Sequence, residues 1–383
     1  MLARAASIDD LRRLAKRRVP RFAFDFLDGG AESERNLRAN RAAFEAVTLQ
    51  PRALIDVSKI STATRLFGQD YGVPFGVAPV GFLNAIWPGS DLAIARLAAE
   101  KRMPHAISTA SSTSLEALAE AAGGYAWFQI YVSHDRHFVE VLLDRAWAAG
   151  CRVLLVTVDT AHPGKRDRDI RNGLQMPFRL TPRLAWDLLR HPRWSLATVK
   201  AGPPVFANAE GGYDPGAGKD SLAELQRRMI SSSFTWEDLK AIREHWKGAL
   251  VLKGVLDSGD AEQAVALGCD GILVSNHGGR QIDYGPASLE ALPKIAQAVA
   301  GRAEVLLDSG IRRGADVLRA KALGASFVLA GRPFAYGAGA GGAAGCHRAF
   351  DILESELTRA MGQLGCPSFQ QIGPGILASG GTG

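Results

Sequence analysis

The feature that most constrains the fold is a set of eight short apolar runs between residues 73 and 332. They are VPFGVAPV (73–80), PHAIST (104–109), AWFQIYV (126–132), VLLVTVD (153–159), ALVLKGV (249–255), GILVSNH (271–277), EVLLDSG (304–310) and FVLAGR (327–332). Near-continuous apolar runs of this kind are typical of strands that are buried on both faces of a parallel sheet. Most are separated by stretches with helical spacing, such as 91–100, 138–149 and 315–322.

Strands that alternate with helices predict an α/β fold in which helices cover a parallel sheet. Eight such units fit a closed (β/α)8 TIM barrel over about 73–332, preceded by an N-terminal helical extension. An open doubly wound sheet is the alternative. The length of 383 residues would also allow two average domains. We interpret the chain as a single domain over 1–383.

One interval between runs is much longer than the others, because residues 160–248 separate the fourth run from the fifth. Its last part, FTWEDLKAIREHW from Phe234, has the pattern of the expected helix, with Thr235 as its N-terminal cap. Residues 178–232 are therefore predicted to be an insertion after strand four.

Polar side chains gather at the C-terminal ends of the runs. They are Gln129, Tyr131, Thr157, Asp159, Lys253, Ser275, His277, Asp308 and Arg332. In a barrel these strand ends form one face, where active sites are built. Scattered surface polar residues would have no reason to select this face, so we predict an active site there.

The sixth run ends in SNHGGRQID (275–283), which presents His277 and Arg280 around two glycines. A glycine turn with two solvated side chains is the structural alternative. At the mouth of a barrel, however, a guanidinium suits a substrate carboxylate, and a neutral imidazole can accept a proton beside it. Asp159, at the end of the fourth run, is the candidate that orients His277.

A phosphate site is predicted after the seventh and eighth runs. The seventh continues into DSGIRRGADVLRAKALGA (308–325), and the eighth ends in Gly331-Arg332-Pro333. Glycines that expose backbone N–H groups, arginines and a following helix N-terminus together can grip a phosphate. These two loops are where such barrels usually hold one.

These motifs, with WFQIYV, LLVTVDT, VLKGV and the N-terminal AFDFLDGGAESERNLRANRAAF, carry a resemblance over nearly the whole chain. The sequence resembles the FMN-dependent 2-hydroxy acid dehydrogenases and oxidases, such as glycolate oxidase, lactate oxidase, flavocytochrome b2 and mandelate dehydrogenase. The resemblance implies that a 2-hydroxy acid is oxidised to a 2-oxo acid with FMN as cofactor. It also suggests a homotetramer.

Site roles follow from the resemblance, residue by residue. It implies that His277 is the catalytic base and that Asp159 holds it, while Arg280 and Arg166 bind the substrate carboxylate and Tyr131 contacts the substrate. Lys253 is implied to lie beside the flavin and to stabilise its reduced form. The implied cofactor-binding residues are Pro79, Val80, Gly81, Ser108, Gln129, Thr157, Lys253, Ser275, Asp308, Gly310, Arg312, Gly331 and Arg332.

One position departs from the family pattern, which commonly reads Tyr-Asp-Tyr where this chain has Phe24-Asp25-Phe26. The second tyrosine usually helps to hold the substrate carboxylate, and Phe26 has no hydroxyl for this contact. Losing such a hydrogen bond costs about 1.5–3 kcal/mol if nothing replaces it. Small acids would suffer most, so we expect a larger, aromatic or apolar 2-hydroxy acid.

The segment 178–200, FRLTPRLAWDLLRHPRWSLATVK, carries five Lys or Arg and one acidic residue, with two tryptophans among leucines. Basic, aromatic and amphipathic character is typical of a membrane-surface segment. The segment resembles the corresponding part of membrane-associated mandelate and lactate dehydrogenases, which implies a quinone or similar acceptor. An active-site lid or an oligomer contact is the alternative for the segment, and an oxidase that uses O2 is the alternative for the enzyme.

Charge and cysteine content add few constraints. The net charge of +6 would suit acidic ligands or an anionic membrane, whereas no motif supports nucleic-acid binding. Four scattered cysteines without metal-ligand spacing indicate reduced thiols, no metal site and a cytoplasmic protein, placed at most on the inner face of the membrane. A non-catalytic barrel protein that senses FMN or a carboxylate is the alternative from a different functional class. Such a sensor would need the arginines that bind the ligand but no base, so the presence of His277 argues against it. The GAGAGGAAG run (337–345) is expected to be a flexible connection before a final helix over 349–361.

Overall fold

The computed structural model describes residues 1–173, 181–208 and 230–378. Eight parallel strands close into a barrel in which each strand pairs with its neighbours in sequence and the last pairs with the first. These strands are β3 (Phe75–Val77), β4 (His105–Ser108), β5 (Ala126–Tyr131), β6 (Val153–Thr157), β7 (Ala249–Val255), β8 (Gly271–Val274), β9 (Glu304–Leu307) and β10 (Phe327–Ala330). The predicted TIM barrel is confirmed, and the open sheet is excluded because β10 hydrogen-bonds β3.

Each strand divides its side chains between two cores because alternate residues point to opposite faces. Along β6, Leu155 packs in the barrel interior, whereas Leu154 and Val156 join the larger core between the strands and the helices. Burying one such aliphatic side chain contributes about 1.5–3 kcal/mol. Burial on both faces explains why the strands lack the alternation of a half-exposed sheet.

Helices cover the barrel and extend it at the N-terminus. The extension comprises α1 (Ile8–Arg18), α2 (Arg21–Asp28) and α3 (Arg35–Ala46). The helices that follow are α4 (Ser90–Lys101), α5 (Leu115–Ala121), α6 (Arg136–Ala148), α7 (Asp167–Arg171), α8 (Pro182–Arg190), α9 (Pro192–Ala201), α10 (Trp236–His245), α11 (Ser258–Ala266), α12 (Ser288–Val299), α13 (Gly314–Ala322), α14 (Arg332–Gly341) and α15 (Ala343–Gln363).

A hairpin of β1 (Thr64–Leu66) and β2 (Gln69–Tyr71) packs against the N-terminal end of the barrel. The Trp127 indole N–H of β5 donates to the Tyr71 hydroxyl over 3.1 Å, and Phe327 of β10 packs against both rings. Aromatic rings therefore fill this end of the barrel interior. The polar strand ends lie at the opposite end.

The predicted insertion after strand four has two amphipathic helices, α8 and α9, in its described part. Residues 178–180 and 209–229 of this prediction lie outside the described residues. The helix predicted after the insertion is confirmed as α10, which has a capping box in which the Thr235 N–H and hydroxyl both donate to Asp238. None of the described helices combines the length and the apolar character that crossing a membrane requires.

The prediction of a flexible glycine-rich connection over 337–345 was wrong. These residues are almost entirely helical, in the end of α14 and the start of α15. The glycines serve close packing, because a Cβ added at Gly345 would lie 1.9 Å from the Gly337 carbonyl oxygen. Without side chains the two helix backbones can touch, which the pattern of small residues did not distinguish from flexibility.

Gly345→Ala should therefore destabilise the protein by about 1–3 kcal/mol or more, because the added methyl group must push two backbones apart. Gly375→Ala is the matched control, since a Cβ there meets nothing within 4 Å. Urea unfolding of the two full-length variants measures both changes. Equal stability of the two variants would contradict the close-packing account.

Candidate active site

A cavity of about 530 Å³ lies at the C-terminal ends of the barrel strands. It brings together most of the predicted site residues, namely Phe26, Pro79, Val80, Gly81, Gln129, Tyr131, Thr157, Arg166, Lys253, His277, Arg280, Asp308, Gly310, Arg312, Gly331 and Arg332. Ser108, Asp159 and Ser275 are outside this lining and lie directly behind it. They hydrogen-bond to Gln129, His277 and Lys253, respectively, which do line the cavity.

His277 is held from both sides of its ring. Its Nδ1 lies 3.0 Å from Oδ1 of Asp159, and its Nε2 lies 3.4 Å from the Tyr131 hydroxyl. The backbone of His277 is in the left-handed region with φ of +58°, and its N–H donates to Ser275 Oγ. Because the carboxylate is an acceptor, Nδ1 carries the proton and Nε2 presents its lone pair to the cavity.

Burial lowers the pKa of His277, and the attraction of Asp159 for the charged ring opposes this only in part. The imidazole is therefore neutral at neutral pH, which is the form that can accept a proton. A proton gained there is stabilised by the adjacent carboxylate. The pair has the geometry and the charge state of a general base with its orienting partner.

Lys253 and Asp159 form a buried pair next to this base, with Nζ 3.8 Å from Oδ2 of the carboxylate. Burial alone would lower the pKa of Lys253, but Asp159 and Asp308 more than offset it, so the net shift is upward. Burial likewise disfavours the charged Asp159, yet Lys253 and His277 lower its pKa overall. The lysine therefore stays charged at the inner end of the cavity.

Gly254 makes room for this carboxylate. Its φ is +104°, and a Cβ there would lie 2.6 Å from the Asp159 Cβ. The pairing of β7 with β8 shifts register between Lys253 and Val255, a β-bulge around Gly254. The glycine in VLKGV thus lets Asp159 approach both the lysine and the histidine.

Two arginines, the buried Arg332 and the partly buried Arg280, donate to backbone carbonyls of the N-terminal extension. Arg280 Nη1 donates to the carbonyls of Phe26 (2.6 Å) and Gly29 (3.1 Å), while Arg332 donates to those of Leu27 and Gly29. Burial lowers the pKa of Arg332 to about 10 and that of Arg280 well below its usual value. Neutral carbonyls leave the positive charge uncompensated, so this wall of the cavity attracts an anion.

Arg166 provides a donor that the described part of the chain leaves unpaired. Its Nε is buried without a hydrogen-bond partner, and its Nη1 lies 3.7 Å from Oδ2 of Asp169. An unmade hydrogen bond of a buried charged group is costly unless a ligand completes it. Arg166 and Arg280 line the same cavity, and the positive charge of Arg166 contributes to the lowered pKa of Arg280. The pair fits a bound carboxylate.

The features expected of an FMN site are also present. Gln129 connects Ser108 and Thr157 through hydrogen bonds of 3.0 and 2.9 Å, which fixes the amide orientation across three strands. Arg312, Gly331 and Arg332 line the same cavity, and Gly331 directly precedes α14. Hydrogen-bonding groups together with cations and a helix N-terminus match the ring and the phosphate of a flavin nucleotide.

Several lining residues were missed by the sequence analysis. They include Phe82, Ala110, Asp169, Phe206 and Ser309. Phe82 and Ser309 directly follow predicted residues, so neighbouring positions could have indicated them. Phe206 could not be identified in this way, because it lies in a proline- and glycine-containing stretch without a strand or a helix of its own.

Comparisons with known proteins agree with this geometry. The model of the FMN-dependent dehydrogenase family matches residues 15–379. (S)-mandelate dehydrogenase of Pseudomonas putida is 38% identical over 377 residues, covering 98% of this chain and 94% of that protein. An L-lactate dehydrogenase of Pseudomonas syringae pv. syringae is 41% identical, with coverage of 97% and 98%.

Solved structures show the same likeness. The crystal structure of the monotopic membrane protein (S)-mandelate dehydrogenase has a TM-score of 0.92 and 37% identity, covering 98% of this chain and 99% of that one. A mandelate oxidase with (S)-2-phenylpropionate has a TM-score of 0.80 and 39% identity, with coverage of 95% of both chains.

A barrel that combines a neutral base, a buried lysine and an anion-binding wall at the C-terminal ends of its strands suits a flavin-dependent oxidoreductase. With the family match over most of its length, the chain belongs to the FMN-dependent dehydrogenases. Its cofactor is FMN, and it is an enzyme.

The charge balance around His277 predicts its titration. In the holoenzyme, its pKa should lie below the ordinary value of about 6.5, because burial disfavours the charged ring. Asp159→Asn should lower it further, since the carboxylate favours the imidazolium. NMR of ring-labelled histidine measures both values, with His277→Gln to assign the signal. A pKa that rises or stays constant in the Asn variant would refute this balance.

Proposed function

We propose that the enzyme oxidises an (S)-2-hydroxy acid with an aromatic or bulky substituent to the 2-oxo acid and passes the electrons to a quinone or similar respiratory acceptor. The observation that carries the proposal is the His277–Asp159 pair in one cavity with Arg166 and Arg280. A base beside a carboxylate-binding site suits an acid whose reacting carbon lies next to its carboxylate. The relatives named for mandelate and L-lactate act on acids of this class.

In this mechanism the substrate carboxylate binds Arg280 and Arg166, whose Nε has no hydrogen-bond partner among the described residues. The Tyr131 hydroxyl, 3.4 Å from His277 Nε2, contacts the substrate oxygen beside the base. His277 then accepts a proton at Nε2, and Asp159 stabilises the resulting imidazolium. The same base serves whether the α-hydrogen leaves as a hydride or as a proton, because His277 takes the hydroxyl proton in the first route and the α-proton in the second.

Bound FMN supplies the two-electron acceptor. We propose that Lys253 provides a positive charge beside the ring, and that Arg312, Gly331 and Arg332 hold the phosphate. Asp308 takes the ribityl chain. The remaining residues proposed to hold the ring and its surroundings are Pro79, Val80, Gly81, Ser108, Gln129, Thr157, Ser275 and Gly310. Chain 1–383 then acts as a single FMN-binding unit.

The preference for a bulky acid is supported by Phe26. Its ring lies 5.1 Å from the Arg280 guanidinium carbon and offers no hydroxyl to a carboxylate. Next to it, Phe82 and Ala110 line the cavity with apolar surface. An acid that gains contacts from its own substituent is favoured over lactate or glycolate. L-lactate is the second candidate substrate, because several relatives of about 40% identity are named L-lactate dehydrogenases.

The surface of α8 and α9 supports a membrane-bound acceptor. Trp186, Leu189, Leu196 and Val199 are each more than 60% exposed, and the same two helices carry Arg183, Arg190, Arg193 and Lys200. Exposed apolar and basic side chains on one short segment suit an anionic bilayer surface. We propose peripheral binding to the inner face of the cytoplasmic membrane. An oxidase that reduces O2 to H2O2 is the alternative.

A homotetramer is part of the proposal. It is supported by the family likeness and by exposed apolar side chains outside the insertion, such as Ile282 and Tyr284. Light scattering of the detergent-free protein measures the mass.

Anaerobic flavin spectra test the reaction. (S)-mandelate and an (S)-phenyl-lactate should bleach the 450 nm region faster than L-lactate or glycolate, while (R)-mandelate should not. In His277→Gln, the reduction rate should fall by about 10²–10⁴ because the base is lost, with the flavin still bound. Near-normal reduction in that variant would contradict the proposed mechanism, and rapid H2O2 formation in air would favour the oxidase.

Vesicle cosedimentation tests the membrane face. The protein should bind vesicles that contain anionic lipid more tightly than neutral ones. The double variant Leu196→Glu/Val199→Glu should bind at least about 10-fold more weakly, because two charges replace exposed apolar side chains that would enter the bilayer. Leu54→Glu is the control, because Leu54 is a fully exposed apolar residue outside α8 and α9. Equal binding of both variants would argue for a lid or an oligomer contact instead.

A further inference from the structure

The cavity has an aromatic wall, which we define as Phe26, Phe82 and Phe206. The Phe82 and Phe206 rings stack with centroids 5.0 Å apart at 27°, and Phe26 meets Phe82 edge-on at 6.3 Å. All three line the cavity that also contains His277 and Arg280. Because Phe26 lies directly beside the Arg280 guanidinium, the aromatic wall begins next to the group that faces the carboxylate.

Phe206 belongs to the insertion, and the chain around it is fixed to the barrel. The Ala207 N–H donates to the Ser111 carbonyl over 3.2 Å. The next residue, Asn208, is fully buried, and its side chain accepts from the Leu115 N–H (2.7 Å) and donates to the Ser108 carbonyl (3.2 Å). Asn208 thus joins the insertion to the end of β4 and to the start of α5.

A second attachment lies upstream of the aromatic wall. The Trp194 indole of α9 is buried, donates to the Ile86 carbonyl over 3.0 Å and meets Phe22 edge-on. Ile86 itself lines the cavity. The backbone before and after Phe206 is therefore anchored, which is unexpected for a segment without regular structure.

We propose that Phe206 is a specificity-determining residue that contacts the α-substituent of the substrate, and that Asn208 is a positioning residue that keeps Phe206 against Phe82. This inference rests on the proposed function, because it identifies the part of the insertion that contacts the α-substituent of the substrate. Stacked rings present a flat apolar surface, which an aromatic substituent can contact at favourable geometry. The methyl group of lactate is too small to gain much from that surface.

The ratio of kcat/KM for (S)-mandelate to that for L-lactate measures this discrimination. In Phe206→Ala the ratio should fall about 10- to 100-fold, the range that apolar pocket contacts provide, chiefly through the mandelate value. Phe206→Leu should give a smaller loss. Phe369→Ala is the control, because Phe369 is also buried but is not among the residues that line the cavity; the ratio of this variant should stay at the wild-type value.

Asn208→Ala should lower the same ratio, and the double variant Phe206→Ala/Asn208→Ala should lower it no further than Phe206→Ala alone, because Asn208 acts through the ring. A merely structural asparagine would reduce both substrates equally and leave the ratio unchanged. Flavin content and unfolding midpoints of each variant separate loss of fold from loss of selectivity.

The possible outcomes distinguish a failure of this inference from a failure of the proposed function on which it rests. If the wild-type flavin is reduced by 2-hydroxy acids but Phe206→Ala keeps the wild-type ratio, the role of Phe206 is refuted and the function stands. If no 2-hydroxy acid reduces the wild-type flavin, the proposed function itself fails. Additive effects of the two substitutions would refute the positioning role of Asn208 and leave the role of Phe206 intact.

Discussion

The active site depends on one carboxylate, that of Asp159, which pairs with a cation on one side and with a neutral imidazole on the other. Asp159 lies 3.8 Å from the Lys253 ammonium and 3.0 Å from the His277 ring. Without it, burial would favour a neutral lysine and leave the imidazole without an orienting acceptor. The barrel meets this requirement by ending β6 and β7 side by side and by placing Gly254, whose missing Cβ admits the carboxylate. Charge, tautomer and ring orientation thus have one common origin.

The electrostatic design differs between the two halves of the cavity. Around Asp159 opposite charges are paired, because the carboxylate lies between the Lys253 ammonium and the His277 ring. Near Arg280 and Arg332 the partners are mostly neutral carbonyls, so the positive charge remains available to an incoming anion. An enzyme that binds a carboxylate and a phosphate, yet abstracts a proton between them, needs both kinds of environment in one cavity.

Much of this was predictable from the sequence because it depends on local patterns. Continuous apolar runs specify buried strands, and polar residues at their ends must meet at one face once the barrel closes. Contacts between distant segments were not predictable. Gly337 and Gly345 look flexible in sequence and become rigid only when two helices touch, and Phe206 acquires its place through Asn208, whose partners lie about 100 residues away. No local pattern carries such pairings.

The backbone carbonyls that accept hydrogen bonds from Arg332 also bear on how the chain folds. Arg332 donates to Leu27 and Gly29, which are about 300 residues earlier in the chain. During synthesis the N-terminal helices must therefore wait until nearly the whole barrel has emerged before these bonds can form. Contacts of such long range form late, since loop closure precedes their gain. This wall of the cavity therefore joins the two ends of the chain, and a chain that stops before Arg332 cannot form it.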